Sequence, residues 1–212
     1  MGAEVIIFGS VPAESWSFLG DYMSCPAFVI CADGGVKNAR TAGLSPNLLI
    51  GDWDSGGVPE EGVPAVTLPA EKDMTDLQAA VDEALTKARQ SDDPAVRKAY
   101  YADFQQALAR GYRQMILTGC IGGRLDHTAS NLALLEWIAG RGGDALMLDG
   151  DNEVRFWGGG TLILPNRPAY RYLSLIPLDR EIEGVTLRGV KYPLTEHRLF
   201  RGDTLSVSNE TA

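Results

Sequence analysis

The chain has 212 residues, 45% of them hydrophobic, enough for one large domain or two modest ones around a sizeable core, which excludes an intrinsically disordered chain. Nineteen Lys and Arg stand against 28 Asp and Glu, a formal net charge of −9. That field repels a phosphodiester backbone and excludes general nucleic-acid binding, yet it suits a polyphosphate if carboxylates first collect divalent cations.

Met1 to Ser10 carries Glu4 and no Lys or Arg ahead of its short apolar run, unlike a signal peptide. No uncharged apolar stretch reaches the roughly 18 to 20 residues that span a bilayer. The expectation is a soluble, cytoplasmic protein with no membrane partner. Cys25, Cys31 and Cys120 are widely spaced, with no Cys-x-x-Cys pair. They are expected to be reduced packing residues.

Apolar, β-prone runs recur at Val5 to Phe8, Phe28 to Cys31, Leu48 to Ile50, Val63 to Leu68, Met115 to Thr118 and Ala145 to Leu148, most of them continuous as in buried strands. Leu77, Ala80, Val81, Ala84 and Leu85 follow the i, i+3, i+4, i+7, i+8 pattern of an amphipathic helix. Lys87 to Arg110 is charged, rich in Ala and Gln, and broken by Ser91-Asp92-Asp93-Pro94; it reads as a helical excursion on the surface. A further helix is expected from about Thr128 to Ala139, with Leu132, Leu135 and Ile138 inward and Gly140 at its end.

Strands alternating with helices imply a mainly parallel α/β sheet. After Asp149-Gly150-Asp151-Asn152 the texture changes. Gly158 to Gly160 and Pro165, Pro168, Pro177 and Pro193 punctuate short runs such as Thr161 to Leu164 and Tyr172 to Ile176. The predicted fold class is therefore α/β, a domain over residues 1–149 followed by a small all-β domain over 150–212.

Three Asp-bearing motifs each follow a predicted strand: Asp33-Gly34-Gly35, Gly51-Asp52-Trp53-Asp54-Ser55 and Asp73-Met74-Thr75-Asp76. Ligands of open α/β sheets bind outside the carboxyl ends of the strands, so these loops are expected to share one crevice. Asp52 and Asp54, two apart, share a face of an extended loop, and a magnesium ion between them would relieve their repulsion. Taken alone, the pair reads equally well as turn aspartates. Asp73 and Asp76 sit where a helix starts, so Asp73 or Thr75 also reads as an N-cap. The glycines of Asp33-Gly34-Gly35 permit close approach of backbone N–H groups to phosphate.

Thr118-Gly119-Cys120-Ile121-Gly122-Gly123-Arg124-Leu125-Asp126-His127 runs from a strand through a glycine loop into a helix. Its backbone donors and the Arg124 fork suit phosphate, while Asp126 and His127 are placed to orient Arg124, bind metal or handle a proton. Neither a Walker loop nor a Gly-x-Gly-x-x-Gly fingerprint is present.

In type, order and spacing, Ala32-Asp33-Gly34-Gly35, Ile50 to Ser55, Lys72 to Asp76 and Gly122 to His127 resemble the motifs of the thiamine pyrophosphokinase family, as do Gly189 to Leu194 and Ser206 to Glu210 near the end. The resemblance spans essentially the whole chain. It implies an N-terminal α/β nucleotide domain, a C-terminal β-domain and a homodimer whose interface helps form the thiamine site. It implies pyrophosphate transfer from ATP to the hydroxyl of thiamine, with Mg²⁺ held by Asp33, Asp52, Asp54, Asp73 and Asp76. Asp54, Asp76, Arg124 and Asp126 would be catalytic, with Asp76 and Asp126 both open as proton acceptor. Asp33, Gly34, Gly35, Asp52, Ser55, Thr75, Gly122, Gly123, Arg124 and His127 would bind ATP. Tyr192, Ser208 and Asn209 would bind thiamine, Tyr192 standing where the family often has Trp and Pro193 where it commonly has a polar residue. Two alternatives stay open: a related pyrophosphokinase acting on a hydroxymethyl pterin, and a non-catalytic nucleotide or thiamine sensor.

Overall fold

In chain order, the computed structural model consists of β1 (Val5–Phe8), a short 3-10 helix (Ser17–Asp21), β2 (Phe28–Ala32), α1 (Gly35–Thr41), β3 (Leu48–Gly51), β4 (Ala65–Thr67), α2 (Asp76–Thr86), β5 (Gln114–Thr118), α3 (Leu125–Ala139), β6 (Asp144–Leu148), β7 (Glu153–Arg155), β8 (Tyr172–Leu173), β9 (Glu181–Leu187), β10 (Leu194–Phe200) and β11 (Asn209–Glu210). It describes residues 5–23, 27–53, 59, 62–86 and 114–212. Cys25, Asp54, Ser55 and the segment Lys87 to Arg110 lie outside the described residues.

The chain divides into two compact units, Met1–Gly160 and Thr161–Ala212. In the first, a seven-stranded sheet runs β4-β3-β2-β1-β5-β6-β7. All neighbours are parallel except β6 and β7, which are antiparallel and joined across a turn where Asp149 Oδ1 accepts the N–H groups of Asp151 and Asn152 at 2.8 and 2.6 Å. β1, β2, β3 and β6 are almost wholly apolar and buried because a parallel sheet is covered on both faces. Val5, Ile7, Ile30, Ile50 and Leu117 join Leu77, Ala80, Val81 and Ala84 of α2 and Leu134, Leu135 and Ile138 of α3 in the main core. Phe8 alternates with Ile7 and so faces the other way, where it meets Trp16 edge-on at 5.3 Å between ring centroids.

Two details depart from the periodicity reading. α3 starts at Leu125, three residues before the expected Thr128, and its buried stripe is Asn131, Leu134, Leu135 and Ile138. Leu132 is 41% exposed. The 3.6-residue period runs through a polar residue, because the Asn131 amide donates to the Cys120 carbonyl at 2.9 Å and so satisfies its own burial. The run from Val63 gives only the three-residue β4, an edge strand with an exposed, half-buried, exposed pattern.

The strand order reverses at β1, with β2 on one side and β5 on the other. At such a point the loops leaving adjacent carboxyl ends diverge and open a crevice. Here they are set by close backbone contact. A Cβ on Gly9 would fall 2.4 Å from the Gly119 carbonyl oxygen, and one on Gly35 would fall 2.0 Å from that of Phe8.

In the second unit, β9 and β10 form an antiparallel pair with register shifts, and β8 pairs antiparallel with β11. Thr161 to Leu164 makes no strand. Pro165 and Pro168 withhold ladder donors beside it.

Candidate active site

The chain leaving β2 and the chain leaving β3 touch. The Asp33 N–H donates to the Ile50 carbonyl at 2.8 Å, and a Cβ on Gly51 would lie 3.2 Å from Asp33 Cα. Asp33 and Trp53 both sit in the left-handed backbone region, at φ 45° and 61°, conformations that non-glycine residues hold only under tertiary constraint. For Trp53 the constraint includes its indole N–H, which donates to Thr67 Oγ1 of β4 at 3.1 Å.

Thr75 is the N-cap of α2: its Oγ1 accepts the Gln78 N–H at 3.1 Å. This places Asp76 in the first helical turn, where the dipole favours a carboxylate. Between strand loop and helix stands Lys72. Its ammonium pairs with Asp52 Oδ2 and lies 3.2 Å from Asp76 Oδ1, with side-chain exposures of 13% for Lys72, 8% for Asp52 and 21% for Asp76. Burial alone pulls the Lys72 ammonium down, but its hydrogen bond to Asp52 and the negative charges of Asp52 and Asp76 beside it outweigh that and hold it above the ordinary lysine value. The Asp76 carboxyl is held above its usual range, by burial first; Lys72 opposes the shift and the charges of Asp52 and Asp33 add to it. Asp76 Oδ1 is buried and takes no hydrogen bond of good geometry, despite the nearby ammonium.

Asp33, Asp52 and Asp76 are thus brought within electrostatic reach of one another. Asp73 is exposed on the stretch before α2. Gly34 caps α1 and Gly35 is its first, buried residue.

Across the switch point, the loop after β5 is pinned from both sides. On one side the Val11 N–H of the loop after β1 donates to the Gly119 carbonyl at 2.9 Å, and the Asn38 amide of α1 fixes that neighbouring loop by donating to the Gly9 and Val11 carbonyls at 2.7 and 2.9 Å; on the other, Asn131 of α3 holds Cys120. Gly119, Gly122 and Gly123 all have positive φ, so the loop follows a path closed to most side chains. The Gly122 N–H donates to Thr128 Oγ1 at 3.1 Å. Arg124 donates to both oxygens of Asp126, Nε to Oδ1 at 3.1 Å and Nη2 to Oδ2 at 2.6 Å, on an exposed surface that also carries Gly122, Gly123 and His127. The Arg124 hydrogen bond is the main cause that lowers the Asp126 carboxyl to about 2. Cys120 is buried, its thiol pushed up to about 12 by desolvation, which leaves it inert.

In the second unit Tyr192 is exposed, and Asn209 is buried beneath its backbone. Asn209 Oδ1 accepts the Tyr192 N–H at 3.0 Å and Asn209 Nδ2 donates to the Tyr192 carbonyl at 2.7 Å. Ser208 is exposed at φ 60°, its N–H donating to Ser174 Oγ at 3.0 Å.

Sequence reading did not single out Lys72, Asn38, Thr128 or Asn131. For Asn131 a signal existed, since it completes the i, i+3, i+4, i+7 set with Leu134, Leu135 and Ile138; for Asn38 and Lys72 it lay in partners distant in sequence, and Thr128 bonds Gly122 and Arg124 of the adjoining glycine loop.

Two family models divide the chain as its compact units do. The thiamin pyrophosphokinase catalytic domain matches residues 19–143, and the thiamin pyrophosphokinase vitamin B1 binding domain matches residues 161–212. The chain belongs to the thiamin pyrophosphokinase family. It is accordingly an enzyme of the thiamine diphosphokinase class, a transferase in thiamine diphosphate formation. Thiamine pyrophosphokinase of Bacillus subtilis (strain 168) is 30% identical over 187 residues, which cover 85% of this chain and 77% of the relative. The crystal structure of a thiamine pyrophosphokinase from Bacillus subtilis superposes with a TM-score of 0.77 at 25% identity, covering 98% of this chain and 89% of that one. That of a thiamin pyrophosphokinase from Geobacillus thermodenitrificans gives 0.73 at 30%, covering 98% and 87%.

Kinases of this family generally call on a divalent metal. Among the described residues no group of three or more His, Cys, Asp or Glu gathers tightly enough to be a metal site by itself. Asp52 and Asp76 nevertheless fit a hard cation that takes a few carboxylates and completes its shell with water and substrate phosphate, and the buried Asp76 Oδ1 has coordinating capacity to spare. No helix among the described residues is long and apolar enough to cross a membrane.

Proposed function

We propose that the protein transfers the pyrophosphoryl group of ATP to the hydroxyl of thiamine, giving thiamine diphosphate and AMP, with Mg²⁺ as the divalent ion. The observation that carries this reading is that Asp33 after β2, Asp52 after β3 and Asp76 at the start of α2 lie within electrostatic reach of one another at the carboxyl edge of the sheet, the same edge that bears the glycine loop from Gly119 to Gly123.

Asp52 and Asp76 would hold the cation, joined by Asp33, Asp54 and Asp73. When bound, it neutralises charge on the triphosphate oxygens. The backbone of Gly34 and Gly35, Ser55, Thr75 and the Gly122-Gly123 loop with His127 receive the nucleotide, and Arg124 adds positive charge where negative charge builds up. The thiamine oxygen forms a bond to the β-phosphorus, the bond from that phosphorus to the α,β-bridging oxygen breaks, and AMP leaves with that oxygen. The alcohol proton goes to a carboxylate. Asp126 is the poorer acceptor because Arg124 holds it at about 2. That leaves Asp76, at the start of α2, as the acceptor.

For the acceptor, Tyr192 stacks on the cationic ring of thiamine and Ser208 hydrogen-bonds its pyrimidine. Asn209 spends its amide largely on fixing the Tyr192 backbone, so its contribution to thiamine is mainly one of position. Two copies associate as a homodimer in the cytoplasm. The family match of the second unit to a vitamin B1 binding domain supports this acceptor.

Asp54→Asn tests the metal assignment: the fold is kept and Mg²⁺-dependent AMP release falls by ~100-fold or more. Near-normal release with Asn there removes Asp54 from the metal set. Tyr192→Ala is expected to raise the KM for thiamine several-fold more than that for ATP, and unchanged values for both would refute the pocket.

A further inference from the structure

Lys72 lies among the proposed metal ligands, and the proposed reaction gives it no task. It is nearly buried, it ends between two carboxylates assigned to metal, and it approaches Asp76 Oδ1 without completing that oxygen's hydrogen bonding. Two carboxylates this sheltered repel each other strongly unless a positive charge lies between them. An ammonium is a compact point charge on a flexible four-carbon stem, able to enter and leave such a space without rearranging the backbone.

We propose that Lys72 is an internal counter-cation, which holds Asp52 and Asp76 facing each other before a divalent ion binds and competes with that ion for them. Binding of the metal then exchanges one positive charge for another, so the carboxylates are not left to repel in either state. The incomplete hydrogen bonding of Asp76 Oδ1 is what a displaceable partner leaves behind. A purely structural ion pair would stabilise the fold equally with and without metal, and a lysine reserved for phosphate would leave metal affinity alone.

The test is a Mn²⁺ titration of the full chain without nucleotide, following free Mn²⁺ by electron paramagnetic resonance, for the wild type, Lys72→Met and Lys72→Arg. Thermal midpoints are recorded alongside in EDTA and in saturating Mn²⁺. Lys72→Met is expected to bind Mn²⁺ at least about tenfold more tightly than the wild type, because its competitor is gone. Lys72→Arg keeps the charge and stays within about threefold of the wild type. The midpoint of Lys72→Met drops in EDTA and gains more from Mn²⁺ than the wild type does. Equal or weaker Mn²⁺ binding by Lys72→Met, no binding by either protein, or the same midpoint loss in EDTA and Mn²⁺ overturns the proposal. If Lys72→Met does not fold, Lys72→Gln carries the same test.

The proposal rests on Asp52 and Asp76 being metal ligands of the proposed reaction, and the two can fail separately. AMP release by the wild type together with unchanged Mn²⁺ binding in Lys72→Met ends the lysine proposal alone. Tighter Mn²⁺ binding without any AMP release sustains the lysine proposal and ends the reaction.

Discussion

Individual side chains at this site are held by partners far away in sequence, which is why some were legible from the chain and others were not. Thr75 and Asp76 were visible as a helix start, and the Thr75 cap bears out that local logic. Lys72 was visible only as a letter in a motif, since its meaning comes from Asp52, twenty residues earlier. The Arg124 and Asp126 pair is local, two residues apart, and makes a direct prediction. Because the folded value of Asp126, about 2, lies below its ordinary 3.8, the pair's contribution is present above 3.8 and is lost as pH falls toward 2. Arg124→Gln should move the Asp126 midpoint up toward 3.8 in a carboxyl-carbon NMR titration, and a midpoint still near 2 would remove Arg124 as the cause. Gly9 is a second residue whose role is purely spatial. Gly9→Ala puts a methyl 2.4 Å from the Gly119 carbonyl oxygen, and a loss of about 1 to 3 kcal/mol or more is expected in urea denaturation.

At the scale of elements, strands were easier to read than helix faces. Five of the seven strands of the first sheet are buried nearly from end to end, so hydrophobicity alone marks them, whereas α3 turns a polar residue inward and shifts the stripe. The face assignment has a measurable consequence. Leu134→Ala, at a buried core position, should cost about 2 to 5 kcal/mol of unfolding free energy, while Leu132→Ala, at an exposed one, should stay within about 0.5 kcal/mol. Equal losses would mean that α3 presents another face to the sheet. β4 and the Thr161 to Leu164 run show the limit of composition: apolar letters make a strand only where an edge offers partners, and β4 has β3 beside it.

Across the molecule, the parallel sheet and the change of texture toward the C-terminus were legible because period and punctuation report them directly. The order of strands was not, since nothing local says that β1 lies between β2 and β5. That order creates the switch point, and with it the meeting of loops on which the proposed chemistry depends. It also gives the acidic composition a use, by concentrating carboxylates where a metal-laden triphosphate would lie. The most direct measurement is incubation of the purified chain with ATP, Mg²⁺ and thiamine, with the products separated and identified. Equal amounts of AMP and thiamine diphosphate are predicted, with neither formed when thiamine is replaced by a hydroxymethyl pterin or Mg²⁺ is chelated. Turnover that gives ADP instead, transfer to the pterin, or bound ligand without AMP would contradict the account.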